Sequence, residues 1–455
     1  MHTRFQLFLA AALSASGAAA QSDLQLPFLY GAPATIANPA HLQDHSVTVG
    51  LPSVSVGSSS PFAVDEVGEV RDGTLYLDGE RVIAALEAAE RDPLVTGRVE
   101  TLSFNYRSAA GWQVGLGHAT RFQGQLGLPV GLAQLATYGN GPYVGEVLGA
   151  APDLSVQAYQ EFSFHGAYSV SEALTIGLRA KYLSGSGALL AEDNRLDVYT
   201  DPDLYQATIT TDATMYSAGV PVDFDGLGVD VGSLSGPMGA GSGFGIDLGL
   251  VFRPSEELEL GLSARDIGSI NWSGETARQH VSRGTYTFEG YRGELFGENG
   301  ARDFSPAAVV DSLVGAVAFE SSEASFRTTL PTTVQATGRY AAATHTRVDA
   351  TVYAAQVDAW YTGFGVGVTQ GFGKFGQVGV LGGARTGGAF VGANVAVDLW
   401  GPQLYVACDN LLTVFDAAGG RDAHVRAGLN LAFGAIKKQK AVKGFYDTKV
   451  EGINK

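Results

Sequence analysis

Histidines, serines and acids carry most hydrolytic and proton-transfer chemistry, so they are read first in this 455-residue sequence, which holds eight histidines. His165, His280, His345 and His424 are scattered, and none adjoins a Gly-rich serine turn that would mark a nucleophile and its base. Asp223, Asp225 and Asp230 faintly resemble a calcium loop, but the terminal Glu such a loop needs is missing. Gly239 to Gly245 and Gly371-Phe372-Gly373-Lys374 lack the phosphate-loop spacing, and glycines of this kind serve turns and strand kinks. The single cysteine, Cys408, allows no internal disulfide, and no Cys/His spacing makes a zinc site. The expectation is a protein that is not an enzyme, with no metal and no cofactor.

What recurs instead is charge at every second position. From Leu174 to Tyr182, Leu174, Ile176, Leu178, Ala180 and Tyr182 fall on one face of an extended chain, and Thr175, Gly177, Arg179 and Lys181 on the other. Leu258, Leu260, Leu262 and Ala264 oppose Glu257, Glu259, Ser263 and Arg265. Val334, Ala336 and Tyr340 oppose Gln335, Thr337 and Arg339, and Val348, Ala350, Val352 and Ala354 oppose Arg347, Asp349 and Thr351. Val395, Val397 and Leu399 oppose Asn394 and Asp398; His424 and Arg426 share a polar face opposite Val425, Ala427, Leu429, Leu431 and Phe433. Cys408 falls in the apolar row of Leu404 and Val406, as an inert thiol. The polar rows predict a charged interior made by Arg179, Lys181, Glu257, Glu259, Arg265, Arg339, Arg347, Asp349, Asp398 and Arg426.

The elements that position such rows are strands. After the first twenty residues no apolar run reaches the ~18 residues of a transmembrane helix, and the one other structure that satisfies backbone groups in hydrocarbon is a closed barrel. A soluble β-sandwich has the same period with the faces exchanged, so alternation alone leaves both readings open. Aromatics at segment ends (Tyr106, Tyr182, Tyr340, Trp360, Trp400) suit the girdles of a barrel. Sixteen segments qualify as strands, two of them 205–217 and 282–290; the fold class is all-β, a single transmembrane antiparallel barrel of about 14 strands (range 14–16) with short helical insertions. Helix-like spacing occurs at Arg81 to Glu90 and Pro306 to Phe319, within the long breaks 62–96 and 291–331; a third break is 125–157.

Arg4, the apolar run Leu7 to Leu13 and Ala18-Ala19-Ala20 read as a signal peptide over 1–20, hence export from the cell. A hatch-like segment 21–44, a barrel 45–434 and a Lys-rich tail 435–455 follow. The chain's formal charge is −17, yet six of its eight lysines fall in the last nineteen residues, so the body is more acidic still and nucleic acid is excluded as its partner.

Arg426, Gly428, Leu431 and Phe433 are spaced as in the assembly signal of bacterial outer-membrane barrels, which this strand resembles. The resemblance implies the barrel assembly machinery as a partner in biogenesis, outer-membrane lipid around the barrel, and a periplasmic tail. Asn38-Pro39-Ala40 is similar to the motif at the N-terminus of fatty-acid-transporter-type barrels. Tyr159-Gln160-Glu161-Phe162, Leu178 to Gly185, Leu262 to Trp272, Leu330-Pro331 and Gly428 to Gly434 resemble a family of Gram-negative outer-membrane proteins known only as a domain of unknown function. That likeness implies a barrel related in architecture to the fatty-acid transporters and to the shuttle barrels of type IX secretion. It brings no established activity. The expectation is passive transport or a channel for a small ligand, hydrophobic if the transporter likeness extends to cargo. The alternatives are a scaffold for secreted or surface proteins and a soluble secreted β-adhesin.

Overall fold

Alternation becomes geometry in the computed structural model, which describes residues 24–436 except 30, 72–73, 224–227, 230–237, 289–318, 358 and 374. The expected signal 1–20, Asp225, Asp230, nearly all of 306–319 and the lysines from 437 onward lie outside the described residues. Fourteen antiparallel strands form the barrel: β1 His45–Ser59, β2 Leu94–Arg107, β3 Trp112–Gly127, β4 Asp153–Ser169, β5 Leu174–Ala191, β6 Gly241–Phe252, β7 Leu258–Trp272, β8 Thr333–Ala343, β9 Thr346–Gln356, β10 Trp360–Gly371, β11 Gly376–Arg385, β12 Gly388–Asp398, β13 Pro402–Cys408 and β14 Asp422–Ala435. Each pairs with the next, and β14 pairs back onto β1 with Val47 opposite Phe433 and Val56 opposite Val425. Closure leaves no spanning strand with an unpaired edge.

The faces decide between membrane barrel and soluble sandwich. Leu262, Val366 and Phe164 are 51%, 57% and 55% exposed, whereas Asp247, Arg179 and Lys181 are 0%, 4% and 4% exposed. A water-soluble protein would lose hydrophobic stabilisation by that arrangement; hydrocarbon outside makes it favourable. Tyr106, Trp112, Tyr168, Tyr340 and Trp400 mark one rim of the exposed apolar surface, and His118, Phe162, Tyr182 and Phe244 form a side-by-side ladder across β3 to β6 nearer the other. Among the described residues no helix is long and apolar enough to cross a membrane.

The two rims differ. At one, neighbouring strands are joined by short turns such as 108–111, 170–173 and 344–345; at the other the strands flanking the long connections 60–93, 128–152, 192–240 and 273–332 end and begin. Outer-membrane barrels place short turns toward the periplasm and long loops outside. Of the sixteen segments read as strands, 205–217 and 282–290 are the two that do not span. They appear as Ala207–Ala218 and Ala277–Phe288, which pair with each other beyond the long-segment rim, alongside Arg195–Thr200. The helical reading of 81–90 corresponds to α1, Gly79–Glu87, whose N-cap Asp78 accepts from the backbone N–H of Glu80 and Arg81. A second helix, Val130–Tyr138, packs against it. Cys408 ends β13 and is buried, although Leu404 and Val406 of its row face outward.

Candidate functional site

The described residues of 24–43 do not join the sheet; they lie inside it. Their backbone hydrogen bonds to one another are local turns, such as Phe28 N–H to Gln25 and Asn38 N–H to Ala34 in the short helix Ala32–Ala37. Leu24, Leu26, Phe28, Leu29, Ala34 and Ala37 are all buried. Leu24 and Phe28 pack with Leu94, Tyr353, Tyr361, Leu381 and Phe390, an apolar patch on the lumen wall, while Leu26, Leu29 and Ala37 meet Ala396, Tyr405 and Ala407. Burying each of the larger side chains is worth about 1.5–3 kcal/mol.

Polar wall groups tie this plug at several heights. Asp409 accepts from the Leu24 and Gln25 N–H at 3.1 and 3.2 Å, and the Asn394 amide donates to Gln25 Oε1 at 2.6 Å. Arg347 and Gln377 both donate to the Phe28 carbonyl at 2.9 Å, and Arg179 donates to the Thr35 carbonyl at 2.8 Å. Gln113 accepts from the Gln43 N–H at 2.9 Å, and Arg107 donates to the Gln43 carbonyl.

Asn38-Pro39-Ala40 sits where the wall has no side chains. Gly177 of β5 and Gly249 of β6 are register partners, and a Cβ on either would fall 2.2–2.3 Å from Asn38, Pro39 or Ala40 atoms. These are contacts only glycine permits. Asn38 spends its amide fully: Nδ2 donates to the Leu250 and Leu262 carbonyls at 3.1 and 3.2 Å, and Oδ1 accepts from the Ala40 N–H at 2.9 Å.

Above this floor a belt of ion pairs crosses the lumen. Glu161 takes Arg98 at 3.2 Å and Arg121 at 3.1 Å; Asp266 takes Arg121 and Lys181, both at 2.6 Å; Lys181 reaches Asp247 at 2.7 Å, and Arg98 reaches Glu100 at 2.9 Å. A bulge in β7 brings Asp266 here. The register with β6 slips between Ile246 and Leu248, Asp266 adopts φ +59°, and its N–H donates to Asp247 Oδ1 at 2.8 Å. Two consecutive residues, Arg265 and Asp266, thereby face inward, and the phase of β7 reverses beyond them. Lower down, Glu259 pairs with Arg253 at 2.8 Å and Arg339 at 3.1 Å, and Arg347 with Asp349 at 2.6 Å.

Of the residues expected from alternation, Arg179, Lys181, Glu259, Arg265, Arg339, Arg347, Asp349, Asp398 and Arg426 are placed on the lumen side. Glu257 is a correction. It precedes β7 in a rim turn and is exposed, because the strand begins at Leu258 and the parity rule stops with it. Arg426 is buried in the lumen, while Val425 and Phe433 face outward; Gly428 lies where a Cβ would come 2.4 Å from the Tyr405 hydroxyl and 2.5 Å from Ser53 Cβ. Asp266, Asp247, Glu161, Arg121 and Arg98 were not among the anticipated lumen residues. Asp266 shares the parity of Leu260, Leu262 and Ala264, so alternation assigns it to lipid; only the bulge turns it inward.

Within the plug, burial pushes the His41 imidazole down to about 3, the neighbouring Arg339 and Arg253 adding to the effect against Glu259 and Asp44. Docking therefore favours neutral His41. That contribution is complete above pH about 6.5, and it is lost as pH falls from there toward 3, because the undocked segment binds the extra proton. At pH 5 the docked state should be weaker by about 2 kcal/mol than at pH 8, and His41→Asn should abolish the difference. Protease accessibility of the plug across that range measures it; a pH-independent wild type would refute it.

Among curated proteins none matches the sequence. Solved structures with likeness over most of the chain include the Pseudomonas putida toluene transporter TodX, 12% identical with TM-score 0.47, covering 89% of this chain and 94% of that one. The Ralstonia pickettii toluene transporter TbuX is 12% identical with TM-score 0.44 over 89% and 94%. A Pseudomonas aeruginosa FadL homologue is 9% identical with TM-score 0.39 over 88% and 90%. The sequence profile of the family of unknown function DUF5723 matches residues 39–409, from within the Asn38-Pro39-Ala40 segment to the end of β13, and the chain belongs to that family.

Proposed function

We propose that this protein is a plug-gated passive conduit of the outer membrane, exported by residues 1–20 and inserted by the barrel assembly machinery, for a small hydrophobic ligand. One observation carries the reading: residues 24–43 fill the lumen yet are held by side chains and apolar contact instead of the strand ladder. Such an element can leave without breaking the barrel. Its departure would uncover the apolar patch of Leu94, Tyr353, Tyr361, Leu381 and Phe390 that Leu24 and Phe28 now cover, and a patch of that size suits an apolar ligand.

Deleting residues 24–43 tests this. In planar bilayers the full-length protein should conduct little, and the deletion variant should show stable channel openings while retaining the fold-dependent gel mobility of an unheated barrel. A folded deletion variant that stays impermeable would overturn the conduit and leave the scaffold reading, in which the barrel holds a secreted or surface protein.

A further inference from the structure

Closure of the barrel brings a hydroxyl, an imidazole and a carboxylate into line inside the lumen. Ser55 of β1 and His424 of β14 stand on adjacent strands, and Asp409 directly follows β13. The Ser55 hydroxyl meets His424 Nε2 at 2.7 Å, and His424 Nδ1 meets Asp409 Oδ2 at 3.0 Å. A carboxylate only accepts, so Nδ1 is the N–H end of the ring and Nε2 the basic end, to which Ser55 donates. All three side chains are buried. This order of bonds makes a serine hydroxyl a nucleophile: a base lies within reach of its proton, and a third group fixes the tautomer of that base and stabilises its charged form.

Ser55 and His424 also border a cavity of about 50 Å³, closed on one side by Ile36 of the plug. It has room for roughly three or four water-sized groups, enough for a short acyl group beside the Ser55 hydroxyl. Asp409 links this place to the apolar patch. Its carboxylate accepts from the Leu24 and Gln25 N–H, while the Leu24 side chain packs with Leu94, Tyr353, Tyr361, Leu381 and Phe390. A ligand that replaced Leu24 on the patch would therefore have one end at Asp409, beside the imidazole.

We propose that Ser55, His424 and Asp409 form a serine esterase site for small esters of apolar acids or alcohols. Ser55 Oγ adds to the ester carbonyl carbon as its proton passes to His424 Nε2; the bond from that carbon to the alkoxy oxygen breaks, and the alcohol leaves with the proton. Water then adds to acyl-Ser55 and gives a proton to His424, which returns it to Ser55 Oγ as the acid departs, so ester and water become acid and alcohol. Ser55 and His424 are the catalytic residues, and Asp409 is a positioning residue. In its choice of substrate the proposal rests on the conduit reading; the alignment of the three side chains does not.

The test mixes the full-length protein in mild detergent with p-nitrophenyl acetate, follows nitrophenolate release and examines the Ser55 peptide by mass spectrometry. An acetyl group on Ser55 and continued release above the buffer rate are expected, and the urea-unfolded chain should be inert. Ser55→Ala should abolish both signals. His424→Gln should slow release by about 100-fold or more, and Asp409→Asn by about tenfold or more, with Asp409→Glu recovering part of it. Ser53→Ala removes a hydroxyl of the same strand that is held by Glu100; it should react like wild type. Gel mobility of the unheated barrel shows that each variant is folded. No acetyl group on Ser55 of the folded wild type, or equal rates in wild type and His424→Gln, overturns the proposal, as does a single burst that leaves Ser55 acetylated without turnover. Conductance of the 24–43 deletion tests the conduit separately: acylation of Ser55 without conductance refutes the conduit and keeps the esterase, and conductance without acylation does the reverse.

Discussion

Asp266→Ala is expected to destabilise the barrel by about 3–5 kcal/mol, with the midpoint of urea unfolding in lipid vesicles shifted to correspondingly lower urea. Asp266 is the shared acceptor of Arg121 and Lys181, both 2.6 Å away. Lys181 keeps Asp247 and Arg121 keeps Glu161, yet two cations inside the lumen would then share fewer carboxylates, and a buried charge deprived of its partner costs more than the pair contributed. Backbone adds to this. At φ +59° alanine lacks the local hydrogen bonding that lets aspartate tolerate the left-handed region. Asp266→Gly relieves that strain while still losing the charge, so the alanine variant should be about 1 kcal/mol less stable than the glycine variant. Asp266→Asn, which keeps shape and turn preference, isolates the charge. A loss below about 1 kcal/mol for alanine would show that the belt does not stabilise the fold.

The second large effect concerns the floor beneath Asn38-Pro39-Ala40. Gly177→Val and Gly249→Val each place a branched side chain where a single Cβ would already lie 2.2–2.3 Å from plug atoms, backbone among them. The two sites are opposite each other on β5 and β6, and valine suits a strand, so the wall tolerates the change while the plug does not. Both variants should fold, lose the Asn38 bonds to the Leu250 and Leu262 carbonyls, and conduct like the deletion of 24–43. In the double variant the plug should be cut by protease at rates at least tenfold above wild type. Folded valine variants with wild-type conductance and protection would mean that the plug docks independently of this floor.

These predictions draw on two different kinds of legibility. The division into two faces could be read directly: Leu174 to Tyr182 and Val425 to Phe433 alternate along a single strand, with Arg179, Lys181, Arg339 and Asp349 on the polar side of theirs, and the period is the same whichever face meets lipid. Glu257 failed at a boundary, where one residue separates a strand from its turn. Asp266 failed in mid-strand, because a bulge changes parity and depends on the partner strand. The Asp247 carboxylate that receives the Asp266 N–H lies nineteen residues away.

The sequence by itself therefore determined that charged and apolar side chains take opposite faces of about fourteen to sixteen strands; which face turns to lipid was decided by closure of the barrel, which leaves the apolar rows outside. Tertiary structure alone decided what those charges do. Arg98 meets Glu161 across 63 residues, Arg121 meets Asp266 across 145, and Ser55 meets His424 across 369. Periodicity is a property of one segment against its solvent, whereas an ion-pair belt, a glycine floor and a plug in its lumen are properties of segments that closure of the barrel brings together.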